Sequence, residues 1–354
     1  MISKSSFGQT ADGEKATLYT IQNGAYSLSV CDYGATVISL IVPDRDGTPT
    51  DVVLAHRDVA PYTGSPKYFG ATVGRVANRI ENGVFTLNGK TYPLAQNDGY
   101  SCLHGGDKSF YNQFFTVREV DDHTLELHRL SPDGEEGFPG NLTLSVTMSM
   151  SESGVFRLDY EATADADTPF NVTNHTYFNL NGFDSDVKAE NHFVQILADR
   201  YQHNDTYLIG EKRYVLPSGQ IRPVEGSLMD LREPVLMATR MYDPWPELKD
   251  CYGYDHNYIL ADAKREHIEK AAVVRSPLTG ITMTVYTDQP GMQFFNQKTT
   301  RILKAKGEQK ERYTAFCFET QGWPNATAHA DFPSVILHPS EVFRSATEYR
   351  FAIE

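Results

Sequence analysis

Apolar and polar residues alternate through Leu142, Leu144, Val146, Met148 and Met150, with Thr and Ser between them. Successive side chains of a strand point to opposite faces, so this pattern predicts a half-buried strand over 142–150. Ile281, Met283 and Val285 repeat it around Thr282 and Thr284, just after a turn-forming Pro277-Leu278-Thr279-Gly280. Asn88-Gly89 stands between Phe85/Leu87 and Tyr92/Leu94, the signature of a two-residue hairpin turn. Further strands are predicted over 17–22, 26–31, 36–42, 114–120, 124–130, 156–162 and 193–198. Helical periodicity is weak, with short candidates around Pro61 and over 266–270. Short strands broken by Gly, Pro, Asn and Asp turns predict an all-β fold, a large antiparallel β-sandwich or barrel with few short helices. No repeat, low-complexity tract or Pro/Ser-rich linker divides the chain, so residues 1–354 are read as a single domain.

Charge narrows the partners. A net charge of −14 repels phosphate backbones and anionic lipid, so neither nucleic acid nor a membrane surface is expected as a partner. The basic cluster Lys304, Lys306, Lys310 and Arg312 is interrupted by Gly307, Glu308 and Glu311 and is read as a solvated loop. The N-terminal residues lack an apolar stretch, and the longest apolar-rich run, 35–42, is far too short to cross a bilayer. A cytoplasmic location is the resulting expectation. Cys31, Cys102, Cys251 and Cys317 are scattered without a CxxC pair, signalling neither a disulfide framework nor a zinc site. They are expected to be reduced and mostly buried. The sequons at Asn141, Asn171, Asn174, Asn204 and Asn325 are read as chance without a secretory signal.

Several segments carry residues suited to chemistry. Gly70-Ala71-Thr72-Val73-Gly74-Arg75-Val76-Ala77-Asn78-Arg79 offers forked donors beside close-approaching backbone, but it is no phosphate loop, lacking GxxxxGK and GxGxxG. Arg79 fits a structural ion pair as well as a ligand contact. His104, before Gly105-Gly106, fits a plain loop position, and His175, within Asn171-Val172-Thr173-Asn174-His175-Thr176-Tyr177-Phe178, fits a hydrogen-bonded core histidine. Asp255 and Gln293 stand beside turn chemistry. Glu319, in Phe316-Cys317-Phe318-Glu319-Thr320-Gln321, is the least bland, because a carboxylate among apolar strand residues is costly unless paired or used.

In order along the chain, these motifs resemble the aldose 1-epimerase, or galactose mutarotase, family. Asp32-Tyr33-Gly34-Ala35-Thr36, Val42-Pro43-Asp44-Arg45, Leu216-Pro217-Ser218-Gly219 and Leu337-His338-Pro339 extend the resemblance across nearly the whole sequence. It implies a single large supersandwich domain, a monosaccharide substrate in an open cleft, and no metal or organic cofactor. Carried over by position, it implies His175 and Glu319 as the catalytic pair, with Asn78, Arg79, His104, Asp255 and Gln293 binding the sugar. The chain departs from the family pattern at Ser340, where Gly is expected, and at Phe114-Phe115, where Trp is common.

Exchange of anomers requires a proton to leave the C1 hydroxyl and another to reach the ring oxygen, so a base and an acid must flank one small group. The expectation is Glu319 as base, made more basic by the Phe318 setting, and His175 as acid, held charged by a neighbouring carboxylate. Tyr177, Phe178 and Phe294 are candidates for an apolar wall against the sugar. Two rival readings are a glycoside hydrolase using Asp255 and Glu319, and a sugar-binding module without catalysis. The absence of a Rossmann fingerprint argues against a fused nucleotide-sugar epimerase.

Overall fold

The protein is described as a computed structural model covering residues 1–64, 68–183, 185, 187–297, 303–305, 308–310 and 315–354. Three antiparallel sheets dominate it. The first joins the N-terminal strands Ile2–Gln9, Lys15–Asn23, Tyr26–Cys31, Thr36–Pro43 and Pro49–Asp51 in sequence order. The second has nine strands, with Leu142–Met150, Val155–Ala164, Phe343–Ile353 and Ile281–Thr287 side by side at its centre. The third runs in the order Lys212–Pro223, Arg200–Ile209, Gly253–Ile259, Gly291–Gln297 and Cys317–Gln321, and it carries the site.

The alternating pattern is realised on the second sheet. Leu142, Leu144, Val146, Met148 and Met150 are all buried, while the intervening Thr and Ser residues are exposed or half-buried. Burying each such side chain is worth roughly 1.5–3 kcal/mol, and a one-residue slip would turn the whole set to solvent. The hairpin forms as predicted: Leu87 pairs with Lys90, and Asn88 and Gly89 both take positive φ, at 52° and 76°, the conformation a type I′ turn needs.

The second and third sheets pack face to face, which makes the sandwich. The Tyr349 hydroxyl donates to the Phe318 carbonyl at 3.0 Å, and the Thr320 and Thr347 hydroxyls meet at 2.6 Å. Phe294 and Phe318 stack in this interface at 5.1 Å, and Phe178 packs on Tyr349. Because neighbouring strand residues face opposite ways, Gln293 and Glu319 point out of the other face of the sheet.

Two expectations need correction. Residues 266–270 form no helix; Glu269–Arg275 is instead a strand of the nine-stranded sheet, paired with Ile281–Thr287 and Phe193–Ile196. The apolar Ala271-Ala272-Val273-Val274 run needs burial from two neighbours, and a lone helical turn on the surface gives none. In the basic cluster, Lys304 and Lys310 fall on a small hairpin rather than a loop; Lys306 and Arg312 lie outside the described residues. The helix near Pro61 is Ala60–Gly64, and a second, Pro246–Asp250, begins with the proline that suits a first helical position. All four cysteines are free and buried. Among the described residues no helix is long and apolar enough to cross a membrane.

Candidate active site

The outer face of the third sheet, closed over by two loops, forms a cavity of about 200 Å³ lined by Tyr68, Asn78, Arg79, Leu103, His104, His175, Tyr177, Asp255, Gln293, Phe295 and Glu319. That is smaller than the roughly 300–1,000 Å³ of drug-sized pockets and suits one small ligand. All seven residues singled out in the sequence meet here. A larger groove of about 370 Å³ along Phe170, Lys264, Gln289 and Phe343 holds none of them.

Strand pairing supplies one wall. Gln293 pairs directly with Glu319, and Asp255 with Phe295, so their side chains share a face. Gln293 Nε2 donates to Asp255 Oδ1 at 2.6 Å, which fixes the amide and leaves its oxygen facing away.

Loops in unusual backbone conformations supply the other wall. Tyr68, Asn78 and His104 adopt left-handed φ of 55°, 62° and 52°, a region uncommon for non-glycine residues and over-represented at functional sites. Gly105, next to His104, also has positive φ, and a Cβ there would stand 2.2 Å from the Gly74 carbonyl oxygen, so no larger residue fits. The Asn78 carbonyl accepts the His104 amide at 3.0 Å, and the Asn78 amide donates to His104 Nδ1 at 3.2 Å. Since Nδ1 accepts, the neutral ring carries its hydrogen on Nε2 and presents a fixed donor to the cavity. Arg79 is held by Asp98, Nε to Oδ2 at 2.9 Å.

His175 follows the short Thr173–Asn174 strand, which pairs with Thr72–Val73. Its backbone is tied on both sides, to Ala71 at 2.9 Å and Gly70 at 3.0 Å. The ring stacks on Tyr177 at 4.8 Å and meets His104 edge-on at 5.2 Å. Its Nδ1 lies 3.5 Å from Cys317 Sγ, and its Nε2 lies 3.6 Å from Glu319 Oε1.

The electrostatics differ from the expectation. Burial pushes the His175 pKa down to about 3, partly opposed by a backbone hydrogen bond. The Glu319 carboxyl is pushed well above its ordinary value, first by burial and then by Asp255, with Arg79 acting the other way. Burial also holds His104 far below its usual range, helped by His175 and Arg79. Burial thus favours a neutral His175 and a protonated Glu319 over a charged pair. The neighbouring carboxylate does not keep His175 charged, because desolvation penalises both charged partners. Nor does Phe318 create the apolar setting of Glu319. Phe318 lies on the opposite face, and Tyr177 and Phe295 share the pocket with the carboxyl instead.

The aromatic wall needs the same correction. Tyr177 lines the cavity, but Phe178 and Phe294 are core residues, and Tyr68, Leu103 and Phe295 take their place. Alternation outward from Gln293 would have selected Phe295 over Phe294. No sequence signal marked Tyr68 or Asp98.

Ligand atoms of His104, His175 and Glu319 all lie within 4.8 Å of one another, a spacing a metal ion could use. The surroundings do not fit one. A metal-binding histidine gives its second nitrogen's hydrogen to an acceptor, whereas His104 Nδ1 faces the Asn78 amide donor. The arrangement is suited instead to moving protons between two oxygens of one small, hydroxyl-rich ligand.

Comparison with known proteins identifies the family. The family model described as aldose 1-epimerase matches residues 17–350. Galactose mutarotase from Sus scrofa is 38% identical, covering 99% of each chain, and aldose 1-epimerase from Escherichia coli K12 is 32% identical, covering 97% of each. Among solved structures, the aldose epimerase homologue from C. elegans superimposes with a TM-score of 0.85 at 25% identity, over 96% of this chain and 99% of that one. The galactose 1-epimerase from Lactobacillus acidophilus shares the fold with a TM-score of 0.83 at 24% identity, over 100% and 99%. With the family model spanning nearly all its length and relatives above 30% identity end to end, this chain belongs to the aldose 1-epimerase family of enzymes.

Proposed function

We propose that the protein interconverts the α and β anomers of a free aldohexose, galactose or glucose first, by acid–base ring opening at His175 and Glu319. The observation that carries this reading is a buried imidazole and a buried carboxyl standing 3.6 Å apart in one small cavity. Glu319 takes the proton of the C1 hydroxyl while His175 Nε2 gives one to the ring oxygen, and the bond from C1 to that oxygen breaks. The open-chain aldehyde turns about C1–C2. Reclosure on the other face runs the two transfers backwards, with roles exchanged.

Burial favours the proton on Glu319, so sugar binding must move it. A C1 hydroxyl donating to Glu319 favours the carboxylate, and a ring oxygen accepting from His175 favours the imidazolium. Both act in the same direction, transferring the proton to His175 and arming the pair. His104 Nε2–H is a neutral donor that supports the ring oxygen without titrating. Asn78, Arg79, Asp255 and Gln293 bind the remaining hydroxyls, and the relatives named galactose mutarotase support galactose as the first sugar to try.

Exchange NMR at the anomeric protons of glucose and galactose tests this. Cross-peaks between the α and β H1 signals that grow with protein concentration are expected, while a nitrophenyl galactoside stays intact. Release of nitrophenol without anomer exchange would favour the hydrolase reading.

A further inference from the structure

Behind the catalytic pair, the same sheet face carries side-chain atoms with nothing to bond. Asn257, Gln293 and Glu319 are direct neighbours across three strands, so their Cβ atoms stand roughly 5 Å apart on one face. Gln321 follows Glu319 on that face, opposite Gly291. A Cβ at Gly291 would fall 2.7 Å from Asn257 Oδ1 and 3.2 Å from the Gln321 carbonyl oxygen. The Asn257 amide therefore lies flat on the Gly291 backbone, beside Gln321, and only glycine permits this.

Gln321 is fully buried, and Asn257, Gln293 and Glu319 are each 2% exposed. Yet Asn257 Oδ1 and Nδ2, Gln321 Oε1 and Nε2, Gln293 Oε1 and Glu319 Oε2 have no hydrogen-bond partner among the described residues. Native interiors leave only isolated groups of this kind. Here they cluster on one strip of sheet, and one of them is the inner oxygen of the proposed base.

We propose that Asn257 and Gln321 are positioning residues for Glu319, their amides supplying a hydrogen bond to its Oε2 across one ordered water. This rests on the acid–base reading above. The two amides hold donors to give, Oε2 can only accept once ionised, and one bridging water can carry the bond between them. Neither residue lines the cavity, so neither touches sugar. Their effect is on the carboxylate form, which a donated hydrogen bond favours, against the burial and the Asp255 charge that oppose it. Arg79, His175, His104, Cys317 and Tyr177 also face or adjoin Glu319, and Tyr349 packs beneath its strand. None of these changes in the test.

The test pairs Gln321→Met and Asn257→Leu with wild type, measuring anomer exchange from pH 5 to 10. Loss of a bond to a charged group is expected to lower kcat about tenfold, to move the alkaline limb upward, and to leave KM unchanged. A fall in kcat with no movement of the limb would overturn the proposal. Should the variants not fold, a wild-type crystal structure resolving ordered water decides it. Oε2 bonded to the Asn257 or Gln321 amide through one water is expected; Oε2 bonded elsewhere overturns it. This readout does not depend on turnover, so the positioning claim can fail while the mutarotase reading stands, or survive its failure.

Discussion

His175 Nε2 stands 3.6 Å from Glu319 Oε1, with both side chains almost closed off from water. On the proposed mechanism the two groups act as a unit, so their losses will not add. Glu319→Gln and His175→Asn are each expected to lower kcat by about 10²–10⁴-fold. The double variant should be scarcely worse than either single one, with circular dichroism unchanged. Additive losses would mean two independent contributions.

The pH profile follows from the same pair. On the proposed mechanism its working form holds one proton. A second proton is resisted because burial pushes His175 to about 3, and loss of the last is resisted because the Glu319 carboxyl is pushed up. In the free enzyme kcat/KM should therefore be level through neutrality, with no inflection near 6.5. An acid limb centred at 6.5 would show that His175 titrates as an exposed imidazole.

Arg79 reaches the cavity on the arm of Asp98. Removing that carboxylate leaves the guanidinium charged but free to swing. Asp98→Asn is expected to raise KM about tenfold while kcat changes less, since an aligned charge-assisted hydrogen bond is worth roughly that factor. A fall in kcat at constant KM would argue that Arg79 acts on the reacting atoms.

Stability should fall on mild acidification. His175, His192 and His256 are buried with pKa values held to about 3, 4 and 3, and His104 is also held low. Below 6.5 the unfolded chain takes up these protons and the folded one does not. Each histidine thus costs up to about 1.4 kcal/mol per pH unit as pH falls from 6.5 towards 4. Glu319, His338 beside Asp167 and the part-buried Asp32 work in the opposite sense, since their raised pKa values bind protons more readily in the folded state, but these three are outnumbered by the four buried histidines. Urea midpoints at pH 7 and pH 5 check this; an equal or higher midpoint at pH 5 would contradict it.

What the sequence revealed depended on which faces were wet. Leu142–Met150 faces solvent on one side and announced itself by alternation. Gly253–Ile259, buried at every position, shows no alternation, and it and Gly291–Gln297 were not legible as strands, although they carry Asp255 and Gln293. Of the site residues only Glu319 stood out by its apolar setting; the others were recognisable by their type and order in motifs that resemble the family. Charge state was not legible, since the desolvation of His175 and Glu319 depends on a pocket assembled from distant segments. Asp98 and the amide row were hidden for the same reason, their significance lying in contacts across the fold.

Polarimetry of freshly dissolved α-D-galactose and α-D-glucose in weak buffer tests the central claim most directly, comparing catalytic amounts of wild type and Glu319→Gln. Wild type should hasten the approach to an unchanged final rotation, and the variant should do so at least about a hundredfold less. Equal acceleration by both, or none from folded wild type, would contradict the account.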